Sequence, residues 1–122
     1  IVLNSYDVLG GPSSSTVLFA TEKFRDQNPR TYGAFLAALQ EAAEFVTANP
    51  QQAADTYLRV TGARLERDFL VKVITNPDVS FTLQPNNTLV LAKFMHRIGA
   101  IKNQAASWRD YFFDSPAIGQ GS

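Results

Sequence analysis

Apolar and polar positions along this chain follow a helical rhythm over most of its length. From Asn28 to Asn49 the side chains of Tyr32, Phe35, Leu36, Leu39, Ala43 and Val46 recur three and four residues apart, the spacing that gathers side chains on one face of an α-helix. Pro29 opens this element and Asn49-Pro50 closes it, since proline suits a first helical turn and disfavours helical angles in the residue before it. A second helix is predicted from Pro50 to Val60, with Ala53, Ala54, Tyr57 and Leu58 inward and Gly62 as its stop. Leu65, Phe69, Leu70, Val73 and Ile74 set out a third, which Asn76-Pro77 breaks. Leu91, Phe94, Met95 and Ile98 make a further stripe that ends at Gly99, with Pro85 near its start. A last helical turn or two is expected to hold Trp108, Tyr111 and Phe112, with the closing "PAIGQGS" frayed.

Three stretches break this rhythm. "VLFAT", residues 17–21, is β-branched and aromatic without alternation, as in a strand covered on both faces. "VSFTL", residues 79–83, alternates and reads as a short extended segment, and "IVLNSYDVLGG" begins as though inside a strand. The pattern therefore predicts about five helical segments and two or three short strands that do not pair as consecutive neighbours. The missing partner strands are expected in a part that precedes this chain, which would make it a fragment or a processed product.

Composition narrows the function classes. The 122 residues, 45% of them hydrophobic, suit one domain with one core. Eleven basic residues balance eleven acidic ones, so no net field gathers nucleic acid or an anionic membrane surface. Cysteine is absent, which excludes disulfides and thiolate metal sites. No apolar run approaches the roughly 20 residues of a transmembrane helix, and no basic-then-apolar signal pattern occurs.

Enzyme signals are weak. His96 is the only histidine, and neither HExxH nor GxSxG occurs, so a metal or nucleophile relay lacks partners. It reads as a polar side chain near a helix C-terminus. Lys93, Arg97, Lys102 and Arg109 form a basic run that reads first as a solvated face and second as a docking patch. Glu41 with Glu44, and Glu66 with Asp68, are carboxylate pairs, the latter placed to complement a helix dipole. No catalytic residue, metal ligand or cofactor is assigned.

The candidate binding element is "GGPSSST", residues 10–16. Backbone N–H groups around Gly10 and Gly11, with the hydroxyls of Ser13, Ser14, Ser15 and Thr16, can cradle an oxyanion using neutral donors. A plain surface turn with solvated serines stands beside that reading. The P-loop pattern GxxxxGK[ST] is absent.

"SYDVLGGP", the run from "VLFATEKF" through "ANPQQAADTYL", and "LAKFMHRIGAIKNQAASWRDYFF" together resemble the C-terminal part of the substrate-binding proteins of nitrate/sulfonate/taurine-type ABC importers, close to those that bind thiamine precursors. The resemblance extends from about residue 2 to Phe113. It implies an α/β, type II periplasmic-binding-protein-like fold of two lobes, of which this chain is a mostly helical C-terminal fragment. Residues 1–16 would form a cleft-side loop, 17–21 a hinge strand and 22–122 the helical part of the first lobe. It also implies a small oxyanion-bearing ligand bound through Gly11, Ser13, Ser14, Ser15 and Thr16, and delivery to a permease at the inner membrane. The location implied is the periplasm, or export with a lipid anchor.

Two departures from the family pattern matter. Ser13-Ser14-Ser15 replaces an aromatic or amide residue common there, which widens the pocket and leaves the ligand open among nitrate, sulfonates, taurine and thiamine-pyrimidine precursors. Ala105 stands where a proline is common. Two other classes compete: a self-contained helical protein-interaction module, and a small hydrolase using His96 as base. A lobe fragment is expected to self-associate through exposed edges.

Overall fold

The computed structural model describes residues 3–122, and every regular element among them is helical. Two compact units form, one from the residues up to Lys23 together with Gln84–Ser122, the other from Phe24–Leu83.

In the Phe24–Leu83 unit three helices pack in series. We number the helices in chain order: α1 (Ser5–Leu9), α2 (Glu22–Gln27), α3 (Pro29–Ala48), α4 (Pro50–Thr61), α5 (Arg67–Ile74) and α6 (Thr88–Arg97). Asn49 serves two helices at once. Its N–H donates to the Phe45 carbonyl at 2.8 Å, ending α3, and its carbonyl accepts from Ala53 N–H at 2.9 Å, opening α4. Helix α4 stops where predicted, on left-handed Gly62. It contacts both α3 and α5, and its small Ala53 and Ala54 are buried. An Arg67–Asp55 ion pair, 2.5 Å and 3.2 Å along its two arms, ties α5 to α4.

The predicted stripes are only half covered. Tyr32, Leu36, Leu39, Ala43 and Val46 are half-buried, whereas Phe35, Tyr57, Leu65, Phe69 and Val73 are exposed. The whole chain exposes 9327 Å², more than the roughly 7,800 Å² expected of two separately compact halves of a chain this size. Faces patterned for burial are thus left facing solvent.

In the other unit α1 forms where a strand was expected. Asn4 Oδ1 caps it by accepting from Tyr6 N–H at 3.0 Å, and Gly10, at φ 78°, turns the chain out of it. The opening residues Ile1 and Val2, part of that strand reading, lie outside the described residues. In α6 the predicted inward side chains Leu91, Phe94 and Ile98 are exposed, and Ala92 is buried instead. After α6 the chain turns back onto the helix end, with Ala100 N–H on the Met95 carbonyl at 2.9 Å, and this leaves the Leu91, Phe94 and Ile98 side chains uncovered. Trp108 is buried as expected, in a 3-10 turn (Trp108–Asp110) capped by Ser107.

Two expectations need correction. No β-strand forms among the described residues: the predicted hinge strand at 17–21 carries no ladder, and Phe19 is 97% exposed. Residues 79–83 are likewise not a strand, Val79 N–H closing a turn onto the Asn76 carbonyl at 2.9 Å. A β-prone sequence becomes a strand only when a neighbour satisfies its backbone. The sheet half of the α/β expectation is therefore not seen, while its mostly helical half is. The tail is also not frayed, because Ser115–Ser122 bonds back onto the start of α6.

Candidate functional site

The hydroxyl-rich loop lies between α1 and the turn that precedes α6. Gly10 and Gly11 both donate their N–H groups to the Tyr6 carbonyl, Gly11 at 2.8 Å. Those two donors close α1 and are already used. From there the loop is pinned to residues 86 and 87: Asn87 Nδ2 donates to the Pro12 carbonyl at 2.8 Å, Ser14 N–H to the Asn86 carbonyl at 2.9 Å, and Asn86 N–H to Ser14 Oγ at 3.0 Å. Asn87 reaches this position with a left-handed backbone, φ 51°, a conformation asparagine tolerates better than most residues.

The five sequence-predicted residues thus divide. Gly11 and Ser14 are half-buried and hold the loop's shape. Ser13 is half-buried, Ser15 and Thr16 are exposed, and the side chains of these three make no hydrogen bond among the described residues. Three hydroxyls therefore remain available to an external acceptor, each able to donate one hydrogen bond without an ionic partner. Sequence reasoning missed Asn86 and Asn87, the residues that position the loop; the only signal for them was an Asn-Asn pair after a proline.

Several of the other candidates have partners within the fold. His96 is half-buried with Nδ1 3.3 Å from the Ile101 carbonyl, which ties it to the turn after α6. Arg97 lies over the Phe94 ring at 5.3 Å and Arg109 over Trp108 at 4.6 Å. Phe112 is 6.1 Å from Trp108, ring to ring. Glu44 accepts from Gln40 at 3.0 Å, and Asp68 sits in the first turn of α5. Two carboxyls of the Phe24–Leu83 unit have lowered pKa values: the hydrogen bond from Arg67 lowers that of Asp55, burial opposes this and the Arg67 charge adds to the lowering, and the Arg25 hydrogen bond does the same for its neighbour Asp26. A groove of about 560 Å³ between α3 and α4 is lined by Ala38, Ala42, Phe45, Ala53, Tyr57 and Val60, with Glu41 at its edge. The rest of the lining is Val46, Thr56 and Thr61, mostly apolar as a whole, with the Thr61 hydroxyl already donating to the Tyr57 carbonyl and the Glu41 carboxylate repelling an anion. Among the described residues no group of three His, Cys, Asp or Glu side chains gathers to hold a metal, and no helix is long and apolar enough to cross a membrane.

Residues 3–53 match the family model described as NMT1/THI5 like. The match supports the resemblance to the substrate-binding proteins of nitrate/sulfonate/taurine-type importers over α1, the hydroxyl loop, α2, α3 and the start of α4. It stops before α5, α6 and the Trp108 region. Comparisons with curated proteins and with solved structures gave no match.

Proposed function

We propose that this chain is part of the solute-binding component of an ABC importer. It takes up a small oxyanion-bearing ligand, of the nitrate, sulfonate or taurine class, for delivery to a permease at the inner membrane. The observation that carries this reading is the family match across residues 3–53, which contains the whole Gly10–Thr16 loop. On this account residues 1–16 form one wall of the ligand cleft, 17–21 the hinge, and 22–122 the helical part of a lobe. Ser13, Ser15 and Thr16 supply the ligand donors, while Gly11 and Ser14 hold the loop in shape. The protein works by binding, without a catalytic step or cofactor, in the periplasm or exported on a lipid anchor.

The exposed apolar faces agree with this reading better than with a self-contained interaction module. Ala53, Ala54, Ala92 and Trp108 are the buried apolar side chains among the described residues, too few for a core that stands alone. Phe19, Leu18 and Val60 face solvent, as expected of surfaces that further parts of a two-lobe protein cover.

A solute that binds the native state raises its melting temperature. Thermal melts of the protein carrying this chain should show such a rise with nitrate, taurine or a short alkanesulfonate, and none with an uncharged sugar of similar size. A rise with the sugar alone, or with none of these solutes, contradicts the proposal.

A further inference from the structure

The last eight residues form a strap built onto the same turn that positions the hydroxyl loop. Ser115 Oγ caps a 3-10 turn at Pro116–Ile118, accepting from Ala117 N–H at 3.3 Å. Beyond it, Gln120 Oε1 accepts from Arg109 at 3.1 Å, and its carbonyl accepts from Gln84 Nε2. Gly121 then lies against the face of Trp108. A Cβ at Gly121 would stand 2.8 and 2.9 Å from ring atoms of Trp108 and 2.9 Å from the Pro85 carbonyl. Both neighbours are fixed, one by burial and one as backbone.

Ser122 ends the strap on α6. Its backbone oxygen accepts from Thr88 N–H at 2.8 Å and from Thr88 Oγ1 at 2.9 Å, its Oγ accepts from Asn87 N–H at 2.9 Å, and its N–H donates to the Pro85 carbonyl at 3.0 Å. Because Asn87 carries no side-chain cap for this helix, the strap supplies acceptors that helix starts otherwise draw from their own Ncap side chain. Residues 84–88 are therefore clasped from two sides, by the strap at Pro85, Asn87 and Thr88 and by the loop at Asn86 and Asn87.

We infer that Ser115–Ser122 is a conformational latch for the Ser13–Thr16 loop: seated on Trp108 it fixes the 84–88 turn, and with it Ser14, while its release frees both. As regulation of a ligand wall the latch rests on the solute-binding reading. The linkage itself needs no ligand to be read, so failure of one is distinguishable from failure of the other.

The test is Gly121→Ala in the protein carrying this chain, followed by amide hydrogen exchange and tryptophan emission. The added methyl should unseat the strap, shift Trp108 emission to the red, and speed exchange at Thr88, Asn86 and Ser14 together by about tenfold. The amides of Ala53 and Gly62 should keep their protection, showing that the helical unit is intact. Thr88→Val, which removes one donor to Ser122 without adding bulk, should speed the same three amides by a smaller factor. If Thr88 loosens while Ser14 keeps its protection in either variant, the latch is refuted, and an unshifted emission with unchanged exchange in Gly121→Ala refutes it as well.

Discussion

Ser14 and Asn86, seventy-two positions apart, hold each other by two hydrogen bonds, Ser14 N–H to the Asn86 carbonyl at 2.9 Å and Asn86 N–H to Ser14 Oγ at 3.0 Å. This reciprocal pair makes Ser14 the staple of the hydroxyl loop. Ser14→Ala should destabilise the protein by about 1 kcal/mol, the usual cost of a lost part-buried hydrogen bond. Denaturant melts that leave Ser14→Ala level with the parent would show that water replaces the hydroxyl at no cost.

Trp108 is 8% exposed, under Arg109 and beside Phe112. Its native emission should be blue-shifted and move red on unfolding. Emission that already matches free tryptophan before denaturant is added would contradict the packing around Gly121.

Acid should weaken the α4–α5 junction through Asp55. The Arg67 hydrogen bond lowers the folded pKa of this carboxyl, so its contribution is present above the ordinary carboxylate range and is lost as pH falls through the lowered value. Thermal melts between neutral and strongly acid pH should fall less steeply for Asp55→Asn than for the parent. Parallel slopes would mean that the exposed pair is screened by solvent.

Ala54 is fully buried where α4 meets its neighbours. Ala54→Leu should cost about 1–3 kcal/mol by overpacking. Leu39 is only half-buried, so Leu39→Ala should cost about 1–2 kcal/mol, below the range for fully buried leucines. A loss at Leu39→Ala above about 3 kcal/mol would show that Leu39 is packed as a fully buried leucine.

Helices were legible in the sequence wherever periodicity and punctuation agreed: Pro29, Asn49-Pro50 and Gly62 bound α3 and α4 as expected. The strand readings failed for a physical reason. Val17, Leu18 and Phe19 have the side chains of a strand, but pairing is a non-local event that no local run of residues reports. The inward faces were legible only in part, since Phe35 and Phe94 have helical spacing and yet stay exposed. Of the site, the hydroxyl loop could be read from its composition. Its anchoring by Asn86, Asn87 and Ser122 joins positions far apart in the chain, and sequence spacing is silent about such contacts.

If the free hydroxyls of this loop bind an oxyanion while Ser14 shapes it, affinity must depend on Ser15 and Thr16. Calorimetric titration of the protein carrying this chain with nitrate, taurine and ethanesulfonate, in the parent and in Ser15→Ala and Thr16→Ala, measures that dependence. The parent should bind one of the three. Each variant should then lose roughly 10- to 150-fold in affinity, the equivalent of about 1.5–3 kcal/mol for a hydrogen bond to a charged ligand. Equal affinity in the parent and both variants would show that the loop is a turn and that the ligand is held elsewhere.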